Sequence, residues 1–314
     1  MRGKNKMTQP ERYYSFSNYL KQTFGKKIYK LSFDGGMTCP NRDGKIGTKG
    51  CIFCSEGGSG DFAVSLNCGI DLAIETAKQK VAKKTTENSG YIAYFQSYTN
   101  TYASVDRLKE LFLPLIKREE IVALSIGTRP DCLPNEVISL IGDLCKIKPV
   151  FVELGLQSIH ESTAQFIRRG YESKIFDDAV QKLNAVGAKV VVHLILGLPY
   201  ENEQMILQSV KHISKLNIHG VKLQLLHVLQ NTDLCDLYNN GIFETLSLNE
   251  YIDLLAKCVE LLPPDMVIHR LTGDAPKSIL VAPKWSANKK MVLNSITKRF
   301  NELNVIQGKN FNKE

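Results

Sequence analysis

Three cysteines lie close together in a glycine-flanked segment, "GGMTCPNRDGKIGTKGCIFCSEGG", at positions 35–58. Cys51 and Cys54 form a C-x2-C pair, and eleven residues separate Cys39 from that pair. Thiolates at such spacings bind soft metal centres. A structural zinc ion needs a fourth ligand, which Cys68 could supply, whereas an iron–sulfur cube held by three thiolates leaves one iron open for another molecule. The spacing alone leaves both alternatives open.

The rest of the sequence favours a reducing compartment. The charged N-terminus, 1–16, has no apolar stretch of the kind that a secretory signal needs. No apolar run in the chain reaches the roughly 20 residues that span a bilayer. We therefore expect a cytoplasmic protein whose eight cysteines are metal ligands or thiols rather than disulfides. The cysteines that lie among apolar residues are expected to be buried thiols: Cys132, Cys145, Cys235 and Cys258.

Short apolar runs alternate with amphipathic stretches along most of the chain, which predicts strands that alternate with helices. The predicted strands are 27–33, 91–95, 121–127, 150–156, 189–196, 221–228 and 266–273. The predicted helices are 71–84, 104–118, 134–144, 174–186, 203–216 and 249–262. Strands separated by helices favour parallel pairing with right-handed crossovers. We expect an α/β protein built on an open or partial (β/α)6 barrel of the TIM type, with a doubly wound sheet as the alternative.

Local signals agree with these helix boundaries. Ser104 is a predicted N-cap, Pro134 suits a first helical turn, and Gly187 follows a predicted helix as a stop signal does. The chain is predicted to comprise a basic N-terminal extension, a barrel core and a C-terminal α/β extension with a basic end, at 1–26, 27–230 and 231–314.

Polar residues occur where a barrel places its chemistry, at the carboxyl ends of the strands. The residues at or just beyond predicted strand ends are Gln96, Thr128, Arg129, Asp131, Gln157, Ser158 and His227. Glu153 and His193 lie within predicted strands, close enough to face the barrel interior. An unpaired buried carboxylate is costly, so Glu153 is expected to meet an arginine or a ligand hydroxyl, with a structural ion pair as the alternative. For His193, a core position and a cavity-lining position are both open.

The cysteine segment resembles the cluster-binding loop of the radical S-adenosylmethionine superfamily. In that superfamily, three cysteines after the first strand of a partial (β/α)6 barrel bind a [4Fe–4S] cluster, and the fourth iron binds S-adenosylmethionine. The resemblance implies that Cys39, Cys51 and Cys54 bind the cluster and that Phe53 packs on the adenine. It also implies an electron donor such as flavodoxin or ferredoxin. The first spacer is longer than in the common C-x3-C-x2-C pattern, as in the Elongator-type branch.

Two further segments resemble the same branch and imply additional cofactor contacts. In "VELGLQSIHESTAQFIRRGY" (152–171), the resemblance assigns Gln157 and Arg169 to holding the cofactor. "HLILGLPYE" (193–201) is similar to the fifth-strand segment near the adenine, and Glu153 and His193 complete the predicted cofactor-binding set. The second-strand motif that binds the methionine amino group departs from the family pattern and reads "YFQSYTNTY" here.

The resemblance is strongest to bacterial radical enzymes of the YtqA/YhcC type, over residues 12–305. That family is linked to tRNA wobble-uridine modification, so the resemblance implies a tRNA partner and conversion of carboxymethylaminomethyluridine to aminomethyluridine. The carboxylate of that substrate would need a cation in a dry site. Arg129 and Lys222 are the candidates, and Gln96 is a further candidate for substrate contact.

The charge distribution also suggests a polyanionic partner. The net charge of +8 is concentrated at the ends, with +7 in residues 1–30 and +5 in residues 284–314. A surface of Trp285 with Lys284, Lys289 and Lys290 is predicted to contact phosphates. In the alternative interpretation, Trp285 anchors a terminal helix. Two other functions stay open: a radical enzyme for a small molecule or peptide, and a non-catalytic metal-cluster protein that binds nucleic acid.

Overall fold

The computed structural model describes residues 11–58, 60 and 62–311. The strands are β1 (Ile28–Asp34), β2 (Val64–Ser65), β3 (Gly90–Phe95), β4 (Ile121–Thr128), β5 (Val150–Gln157), β6 (Lys189–Leu196), β7 (Gly220–Leu225), β8 (Val228–Leu229), β9 (Val267–Arg270) and β10 (Leu280–Ala282). The helices are α1 (Phe16–Phe24), α2 (Ile70–Val81), α3 (Val105–Ile116), α4 (Asn135–Cys145), α5 (Glu161–Phe166), α6 (Ser173–Ala185), α7 (Glu203–Ser214), α8 (Asp233–Asn239), α9 (Leu248–Leu261) and α10 (Lys289–Glu302).

Eight of the strands form one parallel sheet in the order β2-β1-β3-β4-β5-β6-β7-β9. The central six strands, β1 and β3–β7, alternate with helices, and their buried runs of valine, isoleucine and leucine suit strands that are covered on both faces. Among the described residues β2 and β9 are the two ends of the sheet, so the barrel is open. The predicted partial (β/α)6 barrel is confirmed.

Local sequence accounts for most of the boundaries. The Ser104 hydroxyl caps α3 by accepting from the N–H of Arg107, and Gly187 follows α6 with φ of 83°, as predicted. Pro134 is the N-cap of α4 rather than part of its first turn. The predicted strand 221–228 was too long, because β7 ends at Leu225 and the chain then turns into β8. Five short elements, β2, β8, β10, α5 and α8, were not predicted from the sequence.

The amino-terminal end of the barrel is closed by aromatic residues of α1, a helix that the sequence analysis did not predict. Phe16 meets the ring of Phe151 on β5 edge-on at 5.8 Å, and Tyr19 does so at 6.2 Å. The same cluster contains Leu20 and Ile92, both buried. Residues 1–10 of the predicted basic extension lie outside the described residues, as do 312–314. Helix α1 therefore covers this end of the barrel, opposite the carboxyl ends of the strands.

The C-terminal region packs onto the same barrel. β9 pairs with β7, and the hydroxyl of Tyr251 on α9 donates to the carbonyl of Leu271 at 2.7 Å. The proposed boundary between residues 230 and 231 stays a prediction. Of the four cysteines expected to be buried, Cys132, Cys235 and Cys258 are, and Cys145 is half-buried. Within the described residues, no helix has the length and apolarity that a membrane crossing requires.

Candidate active site

The carboxyl ends of the barrel strands surround a cavity of about 440 Å³. Its walls come from the strand ends, from the cysteine segment after β1 and from the turn at 273–276 after β9. The predicted site residues that line it are Cys39, Cys51, Phe53, Cys54, Gln96, Arg129, Glu153, Gln157, Arg169, His193 and Lys222. Residues separated by more than 180 positions in sequence therefore share one enclosed space.

Backbone turns give the cysteine segment its shape. The N–H of Arg42 donates to the Cys39 carbonyl at 2.8 Å, and the N–H of Cys54 donates to the Cys51 carbonyl at 3.0 Å. Gly50, directly before Cys51, has φ of 74°, and a Cβ at this position would lie 2.9 Å from Nε of Arg42. The Arg42 guanidinium donates to the carbonyls of Cys54 and Ser55 at 2.9 and 2.7 Å. A glycine at position 50 and an arginine at position 42 thus shape this wall of the cavity.

Cys68 does not line the cavity with the other three cysteines. In the described part of the chain, no three His, Cys, Asp or Glu side chains converge on a single-ion site. A [4Fe–4S] cube binds each thiolate through a different iron and therefore holds the thiolates farther apart. Cys68 is exposed, lies outside the cavity and places its Sγ 3.1 Å from the Ser65 carbonyl. The alternative of a zinc ion ligated by Cys68 is therefore not formed.

The charges around the thiols also fit a cluster. Burial raises the pKa of the Cys51 thiol to about 12, and Cys54 adds to this, while Arg129 and Asn41 act in the opposite direction. The Asn41 amide lies 3.6 Å from the Cys51 Sγ and donates to the Arg168 carbonyl at 2.7 Å. Ligation by iron would deprotonate these thiols, and the neighbouring guanidinium and amide groups would stabilise the resulting negative charge.

Gln157 and Arg169, the pair predicted to hold the cofactor, occupy different environments. Gln157 has φ of 62°, and a Cβ at Gly155 would lie 2.4 Å from its side-chain nitrogen, so glycine at 155 leaves room for that amide. Arg169 is 1% exposed and donates to the carbonyls of Leu156 and Ser158 at 3.0 and 2.6 Å. Arg169 therefore fastens the backbone on both sides of Gln157.

A buried ionic network forms the floor of the cavity around Glu153, which is 1% exposed. One carboxylate oxygen accepts from Lys30 at 2.8 Å and from Ser125 at 2.6 Å. The other oxygen accepts from Tyr94 at 3.1 Å, from His193 at 2.9 Å and from Lys222. The partners of Glu153 are thus two lysines and three neutral donors rather than the expected arginine.

These contacts set the protonation states of the floor. Burial opposes ionisation of Glu153, but Lys222, Lys30 and His193 outweigh it and hold the pKa of this carboxyl well below its usual range. Burial lowers the pKa of Lys222 to about 7; Lys30 and Arg270 add to the lowering, and Glu153 opposes it. Burial also lowers the pKa of His193 to about 4, so its ring is neutral at neutral pH. With Nε2 donating to Glu153, Nδ1 accepts from the Gln224 amide at 3.2 Å.

Several floor residues were not predicted from the sequence. These are Lys30, Tyr94, Ser125, Gln224 and Arg270, and each is a polar residue within a strand whose other residues are mostly apolar. A polar side chain in a strand that is buried on both faces costs free energy unless that side chain is hydrogen-bonded. The presence of such residue types was therefore the one feature of the sequence that could have indicated them. The sequence did not indicate which residue each of them contacts, because the contacting residues lie on different strands.

Arg129 is already engaged by the protein. Its guanidinium contacts the two Asp131 oxygens at 2.9 and 2.8 Å and donates to the Arg169 carbonyl at 2.8 Å. This paired geometry uses the edge of the guanidinium that a substrate carboxylate would need. Gln96 lines the cavity just after β3.

The three C-terminal lysines do not line the cavity; Lys284 lies in a turn before α10, and Lys289 and Lys290 begin α10. Lys284 donates to the Leu280 carbonyl at 2.6 Å, Lys289 contacts Asp274 at 2.6 and 2.8 Å, and Lys290 is exposed. The indole N–H of Trp285 donates to the Leu246 carbonyl at 3.1 Å. Its ring is half-buried against the core, as the helix-anchoring alternative required.

Comparisons with known proteins agree with this geometry. Residues 43–213 match the family model for the radical SAM superfamily, and residues 218–302 match the radical SAM C-terminal domain. The uncharacterized protein YtqA of Bacillus subtilis is 39% identical over 96% of this chain and 93% of its own length. Protein YhcC of Escherichia coli is 34% identical over 87% of each chain.

A solved structure shows the same fold. The archaeal Elp3 of Methanocaldococcus infernus, with an N-terminal deletion, superposes with a TM-score of 0.67 at 18% identity. The superposition covers 90% of this chain and 64% of that chain. At this identity the match supports the barrel architecture and nothing about the reaction.

Proposed function

This chain belongs to the radical S-adenosylmethionine superfamily and to its YtqA/YhcC-type family, and on that premise we propose that it modifies the wobble uridine of tRNA. Its cofactors are those of the superfamily, a [4Fe–4S] cluster and S-adenosylmethionine. When bound, they supply a 5′-deoxyadenosyl radical that removes a hydrogen atom from the substrate. The protein must therefore exclude water and hold one C–H bond close to the reacting carbon.

The cavity residues divide into three groups in this proposal. Cys39, Cys51 and Cys54 hold the cluster. Phe53 and Gln157 contact S-adenosylmethionine, and Arg169 positions Gln157 through the backbone carbonyls that it binds. The last group, Glu153 and His193, would act as part of the floor rather than as direct ligands, because Glu153 already accepts hydrogen bonds from five protein donors.

One observation carries the choice of substrate: the cysteines and a lysine-rich floor face the same cavity. A carboxymethylaminomethyl group has a carbon between an amine, which donates electron density, and a carboxylate, which withdraws it. Its C–H bond is therefore weak, and its carboxylate requires a cation in a site without water. Loss of one hydrogen atom to the radical and return of one electron to the cluster would convert the amine to an imine at this carbon. Addition of one water would then split the imine into aminomethyluridine and glyoxylate. The exposed lysine at the start of α10 supports binding of the tRNA backbone.

Nucleoside mass spectrometry of tRNA from cells that lack the gene tests this function. We expect carboxymethylaminomethyluridine to accumulate and aminomethyluridine to disappear. Complementation with the wild-type gene should restore the product, and complementation with Cys51→Ala should not. Unchanged wobble uridines would contradict the tRNA substrate and would favour a small molecule or peptide, while leaving the cofactors in place.

A further inference from the structure

We propose that Lys222 and Arg270 form a carboxylate-binding subsite on the floor of the cavity. This inference deepens the proposed function, on which it rests, by assigning the place where the carboxylate of the substrate side chain is held. Arg270 was not a candidate from the sequence, and Arg129, which was, is paired with Asp131.

The geometry brings the two cations together. Lys222 on β7 is the direct cross-strand partner of Arg270 on β9, and both side chains line the cavity. The Lys222 ammonium group donates to Glu153 and to the Tyr94 hydroxyl, the latter at 3.2 Å. An ammonium group has three N–H bonds, so these two contacts leave one donor for a ligand.

The positive charge of Arg270 is only partly neutralised by the protein. A terminal nitrogen of its guanidinium lies 3.3 Å from Asp274, and the Arg270 side chain is 29% exposed. Asp274 also contacts Lys289 at 2.6 and 2.8 Å, so one carboxylate is shared between two cations. Glu153 is shared in the same way between Lys30 and Lys222.

The charge balance of the floor favours a monovalent anion. When Lys222 is protonated, three cations line the floor, Lys30, Lys222 and Arg270, against two carboxylates, Glu153 and Asp274, which leaves one positive charge in excess among these lining residues. Burial lowers the pKa of His227 to about 4, as it does for His193, so neither imidazole adds charge at neutral pH. A planar guanidinium beside an ammonium group matches a carboxylate, and one excess charge suits it better than a divalent phosphate.

The test uses the reconstituted holoenzyme and a probe that needs no tRNA. The probe is sarcosine, which carries an amine and a carboxylate on one carbon, and its binding is followed by saturation-transfer NMR. We expect Arg270→Gln and Lys222→Met each to weaken sarcosine binding at least about tenfold, the loss of one charge-assisted contact. Lys211→Met, an exposed substitution on α7, is the matched control and should bind as the wild type does.

Several outcomes would overturn the subsite. Methylamine that binds as well as sarcosine, phosphate that binds more tightly than sarcosine, or variants that bind sarcosine like the wild type would each contradict it. If Lys222→Met fails to fold, Arg270→Gln decides the question, because Arg270 is partly exposed. Sarcosine binding that depends on both residues, in an enzyme whose absence leaves wobble uridines unchanged, would retain the subsite and reject the tRNA substrate.

The subsite also predicts a pH dependence. Lys222 has a pKa of about 7 before the anion binds, so sarcosine should bind more tightly at pH 6, where the ammonium group is charged, than at pH 8. The charged and titratable groups around Lys222 are Lys30, Tyr94, Glu153, His193, His269 and Arg270. In Lys222→Met the difference between pH 6 and pH 8 should disappear, whereas a difference that persists in this variant would assign the titration to another group.

Discussion

The two opposite sides of the cavity are built in contrasting ways. The cysteine wall comes from one continuous segment after β1, shaped by Gly50 and by the hydrogen bonds of Arg42. The floor comes from single residues on β1, β3, β4, β5, β6, β7 and β9 that meet at Glu153 or beside it. A wall made from one segment can be recognised as a motif, whereas a floor made from seven strands has no motif.

Substitutions in the cysteine wall and in the floor should also differ in their effect on the stability of the fold. In the proposed assignment, loss of a thiol removes a ligand of the cluster but leaves the barrel packed, because the cysteine segment lies over the carboxyl ends of the strands. Loss of Glu153 leaves the buried Lys222 and the half-buried Lys30 without their carboxylate, so it lowers the stability of the fold. We therefore expect changes in the wall to affect chemistry before stability and changes in the floor to affect both.

The largest expected effect is the loss of activity on substitution of a cysteine in the cysteine wall. Cys39→Ala, Cys51→Ala and Cys54→Ala should each abolish S-adenosylmethionine cleavage, because each removes one of three cluster ligands. The reconstituted wild type should hold about four irons. Iron content and 5′-deoxyadenosine formation measure both effects, and Cys68→Ala, at an exposed cysteine, is the control that should retain them. Tetrahedral zinc in the wild type, with loss of metal in Cys68→Ala, would reverse this assignment.

A stability change tests the floor. Glu153→Ala should lower the free energy of unfolding by about 3–5 kcal/mol, since it leaves the buried Lys222 and the half-buried Lys30 without their carboxylate. Chemical denaturation measures this, and Glu203→Ala, which removes an exposed pair with Lys257, should cost under about 1 kcal/mol. The double variant Glu153→Gln/Lys222→Met should recover part of the loss. Equal costs at positions 153 and 203 would show that the floor is not held by this network.

A smaller change in stability is expected from the titration of His193. The folded pKa of His193 is about 4 and its ordinary value is 6.5, so the folded state binds fewer protons than the unfolded state between these values. The stability that neutral His193 contributes is present above pH 6.5 and is lost as pH falls through 4, a change on the order of 2 kcal/mol. His193→Gln, which keeps a donor for Glu153 and does not titrate, should flatten the dependence. If the free energy of unfolding changed with pH in the same way in the wild type and in His193→Gln, the titrating group would be a residue other than His193.

The smallest effect is expected on the surface at α10. Lys290→Glu should weaken tRNA binding only several-fold at low salt, and the wild type should lose affinity as salt rises by a slope of about 0.7–0.9 per neutralised phosphate. Fluorescence anisotropy with labelled tRNA measures both, and Lys211→Glu on α7 serves as the control for net charge. Uncoupled cofactor cleavage should not change. Binding that does not depend on salt would remove the electrostatic argument for tRNA and would favour a small substrate.

Much of the barrel could be predicted from the sequence, because its strands and helices differ in the period of their apolar residues. The β6 bounds match the prediction, and Ser104 and Gly187 act at helix ends as expected. Helix α1 was not predicted because most of its apolar positions are aromatic residues within a basic segment, and their role becomes visible only where Phe16 and Tyr19 pack on Phe151. Strands of two or three residues escaped because they are too short to show a period.

The sequence by itself determined the cysteine wall, since three thiols, their spacing and the adjacent glycine all lie within one segment. It also showed that Glu153 and His193 were unusual, because buried strands seldom carry such residues. Only the tertiary structure decided what they contact. Lys30 and Lys222 are separated from Glu153 by 123 and 69 residues, and no local pattern encodes a pairing over such distances. A charge at the centre of a barrel is stabilised by partners on other strands, so its chemistry is defined only when the sheet has assembled.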